Sequence, residues 1–336
     1  MSAPAQRYQV ADRPPFNLTD LLLRWEVLLI ALLVLVVAIN GWATPNFLDF
    51  YNMTDATQVF SEKAILALAM ALLIIAREID LSVAAIIALA SLAMGYCATQ
   101  GFHAPVLICV GLGVGMLCGM LNGFLVTRLN APSIALTIGT MSLYRGIARG
   151  VLKDQTYTQY PPDFQSFGQD YVTSSVPIYM SFLLFLVLAG VAALVLHAMP
   201  VGRKIMASGN NPVAARFSGV PVDRIRFLLF VASGLAAGLA SVLLTARLGS
   251  TRPDIASGFE LEAVTIVVLG GVSILGGSGT IGGVVLAAIV LGLVQFGLSL
   301  NNVTGIEISV MIGALLIGAI ALPIIVRRLL GRSSTH

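Results

Sequence analysis

The chain has 336 residues, of which 57% are hydrophobic and only 10% are charged. This composition excludes an ordinary soluble domain and indicates a polytopic integral membrane protein. The formal net charge of +3, from 19 basic and 16 acidic residues, is too even a balance to suggest nucleic-acid binding.

The N-terminal residues 1–26 are mostly polar and precede the first apolar run. They contain Arg7, Arg13 and Arg24, but no clear A-x-A cleavage site follows, so the run is interpreted as a retained first span and not as a signal peptide. Trp25 and Trp42 bracket this span at a distance that suits two interfacial aromatic anchors.

Ten apolar runs follow one another and predict an all-α protein with about ten transmembrane helices in a single domain over residues 27–326. Because one run contains Arg145 and Arg149, and only residues 77–80 separate two others, some helices are expected to be short, tilted or broken. The runs cover residues 27–43, 58–76, 81–98, 105–127, 133–152, 176–198, 225–248, 261–277, 283–300 and 306–326.

The basic residues divide unequally between the two sides that an even number of spans defines. Thirteen fall on the side of both termini and six on the other, so the positive-inside rule places the N-terminal segment, the loop 199–224 and the tail 327–336 in the cytoplasm. The loop 153–175 is then external. Its aromatic residues predict either anchoring at the membrane surface or a docking rim for an external partner, and surface anchoring is slightly favoured.

The fourth run carries a glycine at every fourth position, at Gly111, Gly115, Gly119 and Gly123. Such a stripe lets a neighbouring backbone approach closely, and Gly234 with Gly238 forms a similar pair on the seventh run. A pore-lining bundle and general membrane packing explain the pattern equally well.

Two segment pairs indicate weakly repeated halves. Residues 80–89 parallel 260–269 at an offset of 180, and residues 119–122 parallel 292–295 at an offset of 173. Two halves built alike suit a transporter whose pathway lies between repeats. Chance similarity within apolar sequence is an equally good explanation.

The carboxylates and glycine motifs give no catalytic or nucleotide site. Glu78, Asp80, Glu260, Glu262 and Glu307 lie at predicted span ends, where water would reach them, and helix capping is favoured over ion coupling. Residues 277–282 match G-x-G-x-x-G after a helix instead of a strand, so they predict a glycine turn. The chain has no P-loop motif and no cluster of cysteines and histidines, so we expect no metal site and no cofactor bound by this chain.

The segment after Met199 is the one long polar, basic interruption of the apolar pattern. Asn211 suits an N-cap, Pro212 the first helical position and Gly219 a left-handed C-terminal position. The enclosed helix, about 10 Å long, is far too short to cross a bilayer and predicts an extramembrane helix that contacts another protein. An ordinary charged loop is the alternative. The residues that would form the contact are Asn211, Pro212, Ala214, Ala215, Arg216, Phe217, Ser218 and Gly219.

Four polar or aromatic residues on predicted spans could face a hydroxylated ligand in a translocation pathway. Interhelical hydrogen bonding explains each of them at least as well. They are Asn122, Thr140, Tyr144 and Gln295.

Several short motifs follow one another in order and together cover most of residues 50–325. They are Ile-Asp-Leu-Ser-Val at 79–83, Leu-Asn-Gly at 121–123, the segment 131–141, the segment 209–220, and the glycine-rich segments 268–273 and 276–280. In this order they resemble the permease subunits of bacterial monosaccharide ABC importers. Arg77-Glu78 stands where this family usually has two glycines, which is closer to the rhamnose or autoinducer-2 type.

The resemblance implies a multi-pass subunit of the bacterial inner membrane with several protein partners. These are cytoplasmic ABC ATPase subunits that use the ATP, a second permease, identical or homologous, and a periplasmic sugar-binding protein. The segment 211–219 would be the coupling helix that contacts the ATPase. An ion-gradient-driven secondary transporter acting alone and a structural membrane scaffold are the alternatives.

Overall fold

The computed structural model describes residues 25–153, 155–172 and 177–329, and within these ranges the regular elements are helices. The all-α prediction is therefore confirmed for the described residues, where β-pairing is limited to two isolated bridges. The first seven helices are α1 Trp25–Ala43, α2 Phe50–Ile75, α3 Val83–Thr99, α4 Ala104–Leu129, α5 Ser133–Leu152, α6 Pro162–Gln169 and α7 Met180–Ala193, which a π-helical turn continues over Leu194–Ala198. The others are α8 Pro200–Asn210, α9 Pro212–Phe217, α10 Val222–Leu248, α11 Phe259–Leu269, α12 Ile281–Leu300 and α13 Gly305–Leu329.

Each of the ten apolar runs contains a helix. Among the described residues, six helices are long and apolar enough to cross a membrane: α1, α2, α4, α7 with its π turn, α10 and α12. The count of ten spans is not confirmed. Helix α3 has 17 residues, and α11 has 11 residues, about 16 Å of helix against the ~30 Å of a bilayer core. Residues 270–280, which follow α11, are not helical.

The bundle has two ends that differ in their contacts. At the first, called here the basic end, α2 stops at Ile75, whose carbonyl oxygen accepts a hydrogen bond of 2.8 Å from the Gly277 amide. Helices α8 and α9 lie there. At the opposite end, α6 packs against the last turn of α10, where a Cβ on Gly168 would lie 2.5 Å from the Arg247 amide nitrogen.

The closest packing in the bundle joins α4 to α10, as the glycine stripe predicts. A Cβ atom on Gly115 would collide with the carbonyl oxygen of Gly234, and one on Gly119 would lie 2.5 Å from the Phe230 carbonyl oxygen. Gly111 and Gly238 extend the contact towards the opposite end. We call Gly111, Gly115, Gly119, Gly234 and Gly238 the glycine interface. Backbones that meet in this way gain van der Waals contact without side chains between them.

The prediction for the aromatic residues of the loop 153–175 was wrong for those that the structure places inside the protein. Phe164 is fully buried and Tyr160 nearly so, with ring centroids 5.2 Å apart. The Tyr160 hydroxyl also hydrogen-bonds to Thr251 at 2.5 Å. These aromatic side chains therefore close the opposite end of the bundle, because burial against α3, α4 and α10 removes more apolar surface from water than a surface site would.

We expect Gly115→Ala to destabilise the protein by about 1–3 kcal/mol, because the added methyl group overpacks a backbone contact. Gly113→Ala is the matched control on the same helix, since a Cβ there meets no atom within 4 Å. The measurement is the thermal unfolding midpoint of both purified variants in one detergent. Equal midpoints would contradict the close α4–α10 contact.

Candidate functional site

Helix α9 has the local structure that its sequence predicts. The Asn211 side chain accepts hydrogen bonds from the Val213 amide at 3.1 Å and the Ala214 amide at 3.0 Å. Pro212 begins the helix, and Gly219 follows it with a φ of 80°. The N-cap and the left-handed glycine thus fix a six-residue helix between α8 and α10.

One face of α9 is apolar and uncovered. The Phe217 side chain is 90% exposed and that of Val213 is 58% exposed. They lie four residues apart and so share a helix face, while Ala215 on the other side is buried. Arg216 forms an exposed ion pair with Asp223 at 2.5 Å, which joins α9 to the start of α10 but adds little stability in solvent.

Behind α9, the chain contacts the bundle through backbone. Gly209 of α8 lies so close to the Ile75 carbonyl that a Cβ there would overlap it. The Asn210 side chain lies against Gly277, which adopts a φ of 79°. The C-terminal end of α8, which leads directly into α9, therefore touches both the end of α2 and the glycine loop before α12, so a displacement of α9 that moves α8 would reach both.

The loop between α2 and α3 holds two buried carboxylates at the basic end, and the prediction that water reaches them was wrong. Glu78 forms an ion pair with Arg226 of α10 at 2.9 Å. Burial raises the pKa of Glu78, although Ser133 and Arg226 both lower it. Asp80 is fully buried and accepts hydrogen bonds from the Ser82 hydroxyl at 2.7 Å and the Ser233 hydroxyl at 2.9 Å.

This network includes two of the four residues proposed for the pathway. The Asn122 amide donates to Ser82 at 2.7 Å, and the Tyr144 hydroxyl donates to Asn122 at 3.2 Å. Thr140, one turn from Tyr144, donates to the carbonyl of Thr137 in its own helix at 3.3 Å. All three are buried. The bonds of Asn122 and Tyr144 are those expected of interhelical packing, the bond of Thr140 lies within α5, and a role in the pathway stays a prediction.

Gln295 lies in a separate cluster between α2, α11 and α12. Its amide donates to Glu262 at 2.7 Å, and its oxygen accepts from Lys63 at 2.8 Å. Lys63 and Glu262 form an ion pair of 2.6 Å. Glu262 is therefore an ion-pair partner and not a cap of α11, whose N-cap is Gly258.

Sequence reasoning missed the charged residues that α2 contributes. Glu62 is fully buried and accepts from Arg247 at 2.8 Å, while its second oxygen has no hydrogen-bond partner among the described residues. Because α2 begins at Phe50 and not near residue 58, Lys63 lies in the middle of the helix, about 18 Å from its end at Ile75. The polar triplet 61–63 inside an apolar run was the available signal.

The two clusters are related by the offsets of the repeat. An offset of 180 takes Ser82 to Glu262, and an offset of 173 takes Asn122 to Gln295. The Asn122 amide donates a hydrogen bond of 2.7 Å to Ser82. The Gln295 amide likewise donates a hydrogen bond of 2.7 Å to Glu262. Positions that the two offsets relate thus make similar contacts, and the repeat stays a prediction.

Six helices long and apolar enough to span a bilayer among the described residues, and charges paired inside the bundle, indicate a multi-pass membrane protein. The chain belongs to the family described as branched-chain amino acid transport system / permease component, which matches residues 52–321. This confirms the resemblance to importer permeases and identifies a transport component instead of an enzyme.

Individual relatives show which permeases the chain is similar to. The chain is 34% identical over 300 residues to the Autoinducer 2 import system permease protein LsrD of Escherichia coli O9:H4 (strain HS), covering 87% of this chain and 90% of the relative. LsrD of Shigella flexneri and LsrD of Escherichia coli O157:H7 show the same identity and coverage. No solved structure matches the chain.

We expect Asn122→Ala to lower the free energy of unfolding by about 1–3 kcal/mol, because it leaves buried partners without a hydrogen bond. The concentration that half-saturates transport should not change. Ser142→Ala, on the exposed side of α5, serves as the control. A raised half-saturating concentration with unaltered stability would instead place Asn122 in contact with substrate. The readouts are an unfolding curve and solute uptake.

Proposed function

We propose that this chain is the membrane permease subunit of an ATP-driven importer for a monosaccharide-like solute. Its spans form the pathway, separate cytoplasmic ABC subunits hydrolyse the ATP, and a periplasmic binding protein delivers the solute. Membership of the permease family and the likeness to autoinducer-2 import permeases support this assignment. The exposed apolar face of α9 is the structural observation that carries it.

In this proposal, α9 is the coupling helix that the ATPase contacts. An apolar side chain as exposed as Phe217 is typical of a protein interface whose partner is absent. Closure of the ATPase dimer would displace α9. Through the contacts of Gly209 and Gly277, it would also displace the end of α2 at Ile75 and the loop before α12. The pathway would then open by rigid-body movement of the helices.

The sidedness follows from the same assignment. With α9 in the cytoplasm, the basic end faces the cytoplasm, α6 lies on the periplasmic side, and ten passes through the inner membrane bring both termini to the cytoplasm. The excess of basic residues at the ends of the helices there supports this orientation.

A second permease, identical or homologous, would cover the outer side of α5. Gly139, Gly146 and Gly150 lie on the exposed side of this helix, and a Cβ atom at each would meet nothing within 4 Å. Small residues facing outward on a membrane helix allow another helix to approach closely. Two such copies would enclose a pathway between them.

Family membership favours ATP-driven import over the ion-gradient alternative. Reconstitution separates the two: we expect no gradient-driven uptake from the purified chain alone and uptake only when the ATPase subunits, ATP and binding protein are present. Gradient-driven uptake by the chain alone would overturn the proposal.

We expect Phe217→Ala to reduce uptake and ATPase co-purification at least tenfold, because removal of a central aromatic contact costs 2 kcal/mol or more in typical interfaces. Ile306→Ala is the control, since Ile306 is 80% exposed but lies at the opposite end of the bundle. Both variants should insert in the membrane in wild-type amounts. Normal ATPase retention by Phe217→Ala would remove α9 from the interface.

The role of Arg216 can be separated from its ion pair by a charge swap. Arg216→Glu loses the pair with Asp223 and places two negative charges together. We expect the double variant Arg216→Glu, Asp223→Arg to restore the pair but not ATP-dependent uptake, because the ATPase contacts Arg216 directly. Full recovery of uptake in the double variant would show that the pair alone matters.

A further inference from the structure

A groove of about 510 Å³ opens between α4 and α10 at the basic end. It begins where the glycine interface ends. At Gly123 the two helices are still close, since a Cβ there would lie 3.0 Å from the carbonyl oxygen of Phe227. Beyond this point the side chains of both helices line the groove.

The rim of the groove is positively charged. Arg128 lies in the last turn of α4 and Arg224 in the first turn of α10, and both are exposed. Neither forms an ion pair with another residue of the described part of the chain. The one acidic residue on the groove, Asp223, is already paired with Arg216.

One helical turn further into the bundle, the groove becomes apolar. Phe124 precedes Arg128 by four residues on α4, and Leu228 follows Arg224 by four on α10. Because the two helices are antiparallel, both apolar side chains lie about 6 Å deeper than the arginines. Phe124 is 53% exposed and Leu228 is 62% exposed, so the two face outwards from the bundle, with Phe227 between the helices.

We propose that this groove binds one anionic phospholipid. Its phosphate lies between the Arg128 and Arg224 guanidinium groups, and an acyl chain lies along Phe124 and Leu228. Guanidinium groups match phosphate in charge and geometry, and basic pockets between spanning helices suit anionic head groups. A soluble protein partner fits less well, because the apolar part belongs to two helices of spanning length. The inference does not depend on the proposed function.

The test uses the purified full-length chain, delipidated in a neutral detergent. Phosphatidylglycerol, phosphatidylcholine and inorganic phosphate are added separately, and retained lipid is counted by native mass spectrometry beside the thermal unfolding midpoint. We expect phosphatidylglycerol to be retained and to raise the midpoint, with little effect of the other two. The variant Arg128→Gln, Arg224→Gln should bind it about thirtyfold more weakly, since each arginine contributes about 1 kcal/mol at an anionic surface.

The variant Arg203→Gln, Lys204→Gln is the matched control, because it removes two exposed basic residues of α8 outside the groove. It should bind phosphatidylglycerol as the wild type does. Arg128→Lys, Arg224→Lys keeps both charges and should retain more of the binding than the glutamine variant. If the double glutamine variant does not fold, Arg128→Gln and Arg224→Gln are tested singly, and each should bind about fivefold more weakly than the wild type. Equal weakening in the control, equal retention of phosphatidylcholine, or an equal effect of inorganic phosphate would each overturn the proposal. A labelling experiment gives a further test with the variant Leu228→Cys. The proposal would be overturned if the ATPase subunits protected this cysteine from labelling and the lipid did not.

Discussion

A backbone polar group within a bilayer has no water to bond with, and this constraint governs where the chain can leave the helical conformation. Two loops at the basic end show how the chain meets this constraint, namely the loop between α2 and α3 and the glycine loop after α11. In the loop between α2 and α3, hydroxyl groups of α5 accept hydrogen bonds from the backbone. The Ile79 amide donates to Ser133 and the Leu81 amide to Thr137, each at 3.2 Å. In the second, the Gly277 amide donates to Ile75, and the Trp25 indole donates to the Leu269 carbonyl at 2.8 Å. The two breaks are thus stabilised by neighbours and lie beside each other, directly behind α9.

The same requirement applies to charged side chains, and the two halves of the molecule satisfy it differently. Around Asp80 the partners are hydroxyl groups and an amide, whereas around Glu262 the partner is the ammonium group of Lys63. The shared element is the amide of Asn122 or Gln295. The two clusters thus place a side-chain amide at positions that the proposed repeat relates, with different partners around it.

Local features of the fold could be predicted from the sequence, and long-range ones could not. Asn211, Pro212 and Gly219 determine α9 through interactions within a few residues, and the spacing of Gly115 and Gly119 depends only on the helical period. The burial of Asp80 depends on Ser233, which is 153 positions away along the chain, and no periodic pattern reports such a partner. The inward packing of Phe164 depends on α3, α4 and α10 in the same way. The count of ten spans is not confirmed, since hydropathy does not show that helix α11 stops after eleven residues.

The glycine interface has a mechanical consequence for the whole molecule. Where side chains separate two helices, rotamer changes let one helix slide over the other, but α4 and α10 touch through carbonyl oxygens and Cα atoms that cannot repack. The two helices are consequently obliged to travel as one stiff lever. Helix α10 starts five residues after α9 ends. A displacement of α9 would therefore move α4 and α10 together, and the conformational change would be confined to the loops at their ends.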